Sequence, residues 1–212
     1  MRAFLFAILD RLVWNYYLSI MARPKEFDRD TVLSAAIGVF AEHGYEGTST
    51  DALLRGMGIS RQSLYDTFGD KRSLYLEALQ TYNSGSVAAL IDSLAQGASP
   101  LKSIETAILA YALEPAIGKP STCLGVSAVC EFGRSDTAVN QITDISSRSM
   151  ILAFERRLTA ARDAGEINLD IDIPTAAQFL GATLSGLKVS ARGGTSSEAL
   201  TRIARMALRS LI

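Results

Sequence analysis

The chain has 212 residues, 48% of them apolar and 20% charged, with a net charge of −1. That composition excludes a disordered chain and leaves enough apolar side chains for one core or two small ones. The near-zero charge excludes a strongly basic chain, so any nucleic-acid contact must come from a local arrangement of side chains. Two cysteines, Cys123 and Cys130, suit a reducing compartment and a cytoplasmic location better than a disulfide framework. The single histidine, His43, removes most histidine-based metal sites and argues against a catalytic triad. At the end of a helix, it complements the helix dipole.

Residues 1–20, "MRAFLFAILDRLVWNYYLSI", differ in character from the rest of the chain. The apolar run is short, Asp10-Arg11 breaks it, and no small-residue cleavage site comes after it, so a signal peptide fits poorly. The stretch is also too short and too charged to span a bilayer. The expectation is a non-native or disordered N-terminal extension, with Met21 as the natural start and no membrane partner. The alternative is an amphipathic segment lying on a membrane surface.

From Asp28 onward, Val32, Leu33, Ala36, Val39 and Phe40 recur at three- and four-residue steps, which predicts a helix ended by Gly44. Tyr45 comes next as an apolar lid. Thr48, Ser49 and Thr50 offer hydroxyl caps to a short second helix, whose apolar face is Leu53, Leu54 and Met57. Gly58 permits a tight turn, and Ser60 caps a third helix ending near Phe68. Gly69 breaks that helix and Asp70 caps a fourth, with Leu74, Tyr75 and Leu79 facing inward. Further helices are predicted near residues 86–96, 101–114, 121–133, 136–164, 174–191 and 196–211, separated by glycine and proline breakers. In "GEINLDIDIP", Glu166, Asp170 and Asp172 read as a solvated loop rather than a cation site. No strand-like alternation persists, so the fold class is all-α.

A helix, a tight turn and a helix beginning Ser-Arg-Gln-Ser is the pattern of a helix-turn-helix DNA reader. Leu64 and Phe68 are four apart, share a face and anchor the third helix. Arg61, Gln62 and Ser63 occupy its first turn, after Ser60, and some of them must point outward. Arginine suits guanine and glutamine suits adenine, because each makes two hydrogen bonds at once. Tyr65 can turn its hydroxyl to a phosphate. Lys71 places a charge beside exposed backbone N–H groups, and Thr48 and Ser49 offer the same kind of contact from the second helix. The opposing reading is a plain helical bundle with polar surface residues. It is helped by seven Lys/Arg against nine Asp/Glu in residues 22–80, although Asp28, Asp30 and Asp51 sit at helix starts, where acids are favoured.

"FDRDTVLSAAIGVFAEHGYEGTS" and then "GMGISRQSLYDTFGDKRSLY" resemble the N-terminal domain of a TetR-family transcriptional regulator over residues 21–75. The resemblance implies a three-helix DNA-binding domain over 21–68 and a helical-bundle domain for effector binding and dimerisation over 69–212. It implies a homodimer that binds a palindromic double-stranded operator, represses, and is released by a small-molecule effector. It implies no catalytic residue, metal or cofactor. Arg23 and Lys25 would form a short basic arm toward phosphate or minor groove, or simply a disordered tip.

By the same resemblance, the last two helices of each chain would build a four-helix dimer interface from Ala177, Leu180, Gly181, Leu184, Leu187, Ile203, Ala207 and Leu211. The alternative is that these residues form an internal core pair. An effector pocket would be walled by Ile108, Tyr111, Cys123, Val126, Phe132 and Phe154, residues that would equally make an ordinary core. On one helix, Cys123 and Cys130 would lie about 10 Å apart, beyond the span of a disulfide. They read either as two small buried residues or as a thiol sensor centred on Cys123, at a helix start beside Lys119. A small enzyme with Cys123 as nucleophile is the competing function, and it lacks a visible base.

Overall fold

The computed structural model describes residues 27–113 and 123–212, with nine helices and no strand among them. In chain order these are α1 Arg29–His43, α2 Thr50–Met57, α3 Arg61–Phe68, α4 Lys71–Ala95 and α5 Pro100–Leu113. They continue with α6 Leu124–Phe132, α7 Thr137–Asp163, α8 Ile173–Arg192 and α9 Ser197–Arg209. The extension, Arg23, Lys25 and Lys119 lie outside the described residues.

Side-chain caps decide where most of these helices begin. Asp28, Ser49, Ser60, Asp70, Asp136, Asp172 and Ser196 each accept a hydrogen bond from the backbone N–H three residues on. Such a cap satisfies one of the otherwise unpaired N–H groups and is worth about 1 kcal/mol. Of the three acids in the "GEINLDIDIP" loop, Asp172 caps α8, and Glu166 accepts the N–H of Leu101 at 2.7 Å, fixing the start of α5.

Two hydrophobic clusters hold the molecule together. The first joins Val32, Ala36 and Phe40 of α1, Leu53 and Met57 of α2, and Leu64 and Phe68 of α3 to Leu74, Tyr75 and Leu79 of α4. Leu124 and Ala128 of α6 and Val139 of α7 complete it. The second joins Leu90 and Leu94 of α4 to Ile104 and Ile108 of α5, Phe154 and Leu158 of α7, and the inner faces of α8 and α9. Each large side chain buried this way contributes about 1.5–3 kcal/mol relative to an exposed one. Helix α4 is one continuous rod of 25 residues, where the sequence suggested a separate helix over 86–96. Its first half belongs to one cluster and its second half to the other.

The expected dimer face needs correction. Ala177, Leu180, Gly181, Leu184, Leu187, Ala207 and Leu211 are buried within the single chain, so they are the internal pair and not an outer surface. Of that set only Ile203 is exposed. The outward stripes of α8 and α9 carry Phe179, Val189, Ile203 and Met206 instead, between 42% and 66% exposed. No described helix is long and apolar enough to cross a membrane.

Candidate nucleic-acid interface

Helices α2 and α3 meet at Gly58, whose φ of 66° is left-handed and suits glycine. Ile59 and Ser60 complete the turn. The Ser60 hydroxyl accepts the N–H of Ser63 at 3.1 Å and lies 2.8 Å from the Ser63 hydroxyl. Those two serines are therefore occupied in starting α3. Leu64 and Phe68 are buried on its inner side, which leaves Arg61, Gln62 and Tyr65 on the outside.

The two candidate base readers already have acidic neighbours. Arg61 donates to Asp51, in the first turn of α2, at 2.7 Å, and Gln62 donates to Asp66, one turn further along α3, also at 2.7 Å. Both contacts are exposed, so each is worth well under about 1 kcal/mol. They orient the side chains without locking them. Asp66 lies four residues after Gln62, a spacing that itself marks it as a partner. Asp51 becomes a visible partner only once α2 and α3 are placed.

Thr48 departs from expectation. It is 1% exposed, and its hydroxyl donates to the carbonyl of Gly44 at 2.5 Å. It closes the loop between α1 and α2 and is not available to a phosphate. Ser49, the true cap of α2, accepts from Ala52 at 3.1 Å and is exposed. Lys71 holds its ammonium 4.3 Å from the centre of the Tyr45 ring, a cation–π contact that keeps the charge near the start of α4.

Beneath this surface Phe40, Tyr45, Tyr75 and Phe132 form one aromatic cluster, with Phe40 edge-on to Tyr75 at 5.0 Å. Burial, and then the nearby Glu131 carboxylate, push the Tyr75 phenol above its ordinary pKa. Glu131, near the end of α6, accepts the N–H groups of Tyr45 at 2.9 Å and Glu46 at 2.7 Å. Arg72 of α4 pairs with Asp136 at the start of α7. Through these contacts the bundle grips the loop that leads into α2. Sequence reasoning missed Glu131 because its partners are more than eighty residues away.

This grip should be measurable. Glu131→Gln weakens a charge-assisted but exposed contact, so about 1 kcal/mol is expected. That corresponds to roughly fivefold faster hydrogen exchange at the Tyr45 and Glu46 amides, read by mass spectrometry. It should also depend on pH. The Val139 N–H and then the Arg72 guanidinium hold the Asp136 carboxyl below its ordinary pKa, and the Ser73 contacts do the same for Asp70. A carboxyl depressed in the folded state stabilises above its unfolded pKa of about 4, and that stability is lost as pH falls through the folded value. Melting temperature is therefore expected to drop between about pH 5 and pH 2, and Asp136→Asn should flatten that drop.

The residues expected to wall an effector pocket are divided: Ile108, Phe154 and Tyr111 share one apolar cluster, and Phe132 packs against the other. Ile108 and Phe154 are fully buried in the bundle core, Phe132 belongs to the aromatic cluster, and Val126 is half-buried on α6. Cys123 and Tyr111 are brought together: the Cys123 thiol lies close enough to Tyr111 of α5 and Tyr82 of α4 for the three groups to interact. Cys123 is buried at the start of α6, whereas Cys130 is exposed. Both are free thiols.

Comparison with known proteins agrees with this architecture. Residues 32–78 match the model of the bacterial regulatory proteins of the tetR family. The HTH-type transcriptional regulator YezE of Bacillus subtilis is 38% identical over 164 residues, 76% of this chain and 84% of that protein. The HTH-type transcriptional repressor ComR of Escherichia coli is 32% identical over 200 residues, 88% of this chain and 90% of its own length. Among solved structures, a cysteine mutant of the TetR family transcriptional regulator CifR, complexed with 26bp double-strand operator DNA, superposes with a TM-score of 0.80. It is 30% identical and is covered completely by 90% of this chain. With a matching head, a matching bundle and relatives this similar over most of its length, the chain belongs to the TetR family of transcriptional regulators.

Proposed function

We propose that the chain is a ligand-responsive transcriptional repressor that binds a palindromic operator as a homodimer and is released by a small molecule. The observation that carries this reading is α3: its inner face is locked by Leu64 and Phe68, while Arg61, Gln62 and Tyr65 face outward on a fold that, in CifR, sits on operator DNA. In this reading Arg61 and Gln62 read base edges, Tyr65, Ser49 and Lys71 contact phosphates, and Ser60 and Ser63 hold the start of the helix. A DNA target fits a cytoplasmic location. No catalytic step is assigned. His43 lies in the last turn of α1, and burial keeps the tyrosines beside Cys123 protonated, which favours a regulator over a cysteine enzyme.

The exposed stripes of α8 and α9 supply the symmetric contact, because an apolar patch of this kind on a soluble protein marks an interface. A single α3 touches few base pairs, and two of them read a palindrome. Selection of bound duplexes from a random library is expected to return an inverted repeat, and a set of sequences without symmetry would overturn the reading. Phe179→Glu with Met206→Glu is expected to give a monomer by light scattering and to weaken operator binding at least about a hundredfold. A dimer that survives both charges would rule out this face.

A further inference from the structure

A cleft of about 460 Å³ opens between α1 and α4. Ser34 and Gly38 line one side, Tyr82 and Gly85 the other, and Tyr111 of α5 and Lys188 of α8 its far end. Three features set it apart from an accidental gap. The first is its size, which suits a small organic molecule. The second is its two glycines. Gly38 and Gly85 sit inside helices, where glycine is a poor choice, and a Cβ at either position would meet nothing within 4 Å. Packing does not demand them, yet each keeps its wall of the cleft low. The third is its polar end. Lys188 is only 7% exposed, and its ammonium lies 4.8 Å from the centre of the Tyr111 ring. The hydroxyls of Tyr82 and Tyr111 meet the thiol of Cys123 in the same region.

We propose that this cleft binds a small organic acid, with an apolar body against α1 and α4 and an anionic head turned to Lys188 and the two tyrosines. The end groups are donors, and the Lys188 ammonium attracts an anion in addition to the contacts it already makes within the chain. Asp30 also lines the cleft, so like-charge repulsion keeps the head away from that wall. The location matters because α1 belongs to the DNA-reading head, whereas Tyr111 and Lys188 belong to the bundle. An occupant touches both and so biases the angle between them, which makes this site the effector site of the repressor. That last step rests on the repressor reading, whereas the binding step does not.

The test uses 8-anilinonaphthalene-1-sulfonate, an apolar body with an anionic head, and N-phenyl-1-naphthylamine, a similar body without charge, each detected by fluorescence. The wild-type protein is expected to bind the sulfonate saturably, one per chain. Gly38→Leu and Gly85→Leu fill open space, so their melting temperatures should not fall, and each should weaken both probes at least about tenfold. Lys188→Met keeps an apolar stem, and it should weaken the sulfonate at least about tenfold while leaving the naphthylamine unchanged. Undiminished binding in both leucine variants would place the probes elsewhere and overturn the site. Equal loss of both probes in Lys188→Met would overturn the acid head. Operator affinity is then measured with and without saturating sulfonate, where a drop of at least about fivefold is expected. Unchanged affinity would overturn the coupling. A wild-type protein that binds the sulfonate in this cleft but no duplex would refute the repressor reading and leave the site standing.

Discussion

Arg61→Ala combined with Gln62→Ala is expected to weaken operator binding by about 10²–10⁴-fold while leaving the melting temperature within a degree or two. Each two-pronged contact to a base is worth about 1–3 kcal/mol of discrimination. The contacts these residues make in the free protein, to Asp51 and Asp66, are exposed and give back less than about 1 kcal/mol each. The exchange on binding DNA is therefore favourable, and the double variant loses the larger side of it. Binding to an unrelated duplex should fall much less, since phosphate contacts from other residues persist. Electrophoretic shift on operator and random duplex, at two salt concentrations, separates the two effects. Equal loss on both duplexes would mean that these side chains contact only the backbone.

The second large effect concerns stability. Phe40→Ala should destabilise the protein by about 3–5 kcal/mol, the range for removing a buried phenylalanine. Phe40 is fully buried, edge-on to Tyr75 and stacked against Tyr45, so the void opens where α1, α4 and the loop before α2 meet. Phe40→Leu keeps most of the volume and should cost less than about 2 kcal/mol. Urea unfolding of both variants is the measurement. A loss below about 1 kcal/mol for alanine would show that the cluster collapses to fill the space and is not a rigid floor beneath the DNA-reading head.

Helix boundaries are legible in the sequence because the signals that set them act locally. Asp28, Ser60 and Asp70 cap the helices that their positions predict, and Gly44 and Gly58 end theirs. Thr48 and Ser49 show the limit. Two hydroxyls in a row offer the same cap, and only the folded loop decides that Ser49 takes it while Thr48 turns inward to Gly44. Helix α8 shows another. It is apolar on more than one side, with Leu180, Leu184 and Leu187 inside and Phe179 and Val189 outside, so periodicity marks a helix without saying which face meets the partner. Phe132, a pocket wall by sequence, lies against Tyr45. The grip of Glu131 on Tyr45 and Glu46 joins residues with no pattern of spacing between them. The same holds for the cleft, whose walls come from four separate helices.

Helix α4 runs for 25 residues, about 37 Å, and is built into both apolar clusters. Leu74, Tyr75 and Leu79 close the floor under α1, α2 and α3. A fragment cut after Phe68 would therefore expose Phe40 and Leu64 to water and should not survive as an autonomous miniature DNA reader. The intact protein should instead melt in one cooperative step, its calorimetric and van't Hoff enthalpies agreeing, because neither half owns a finished interior.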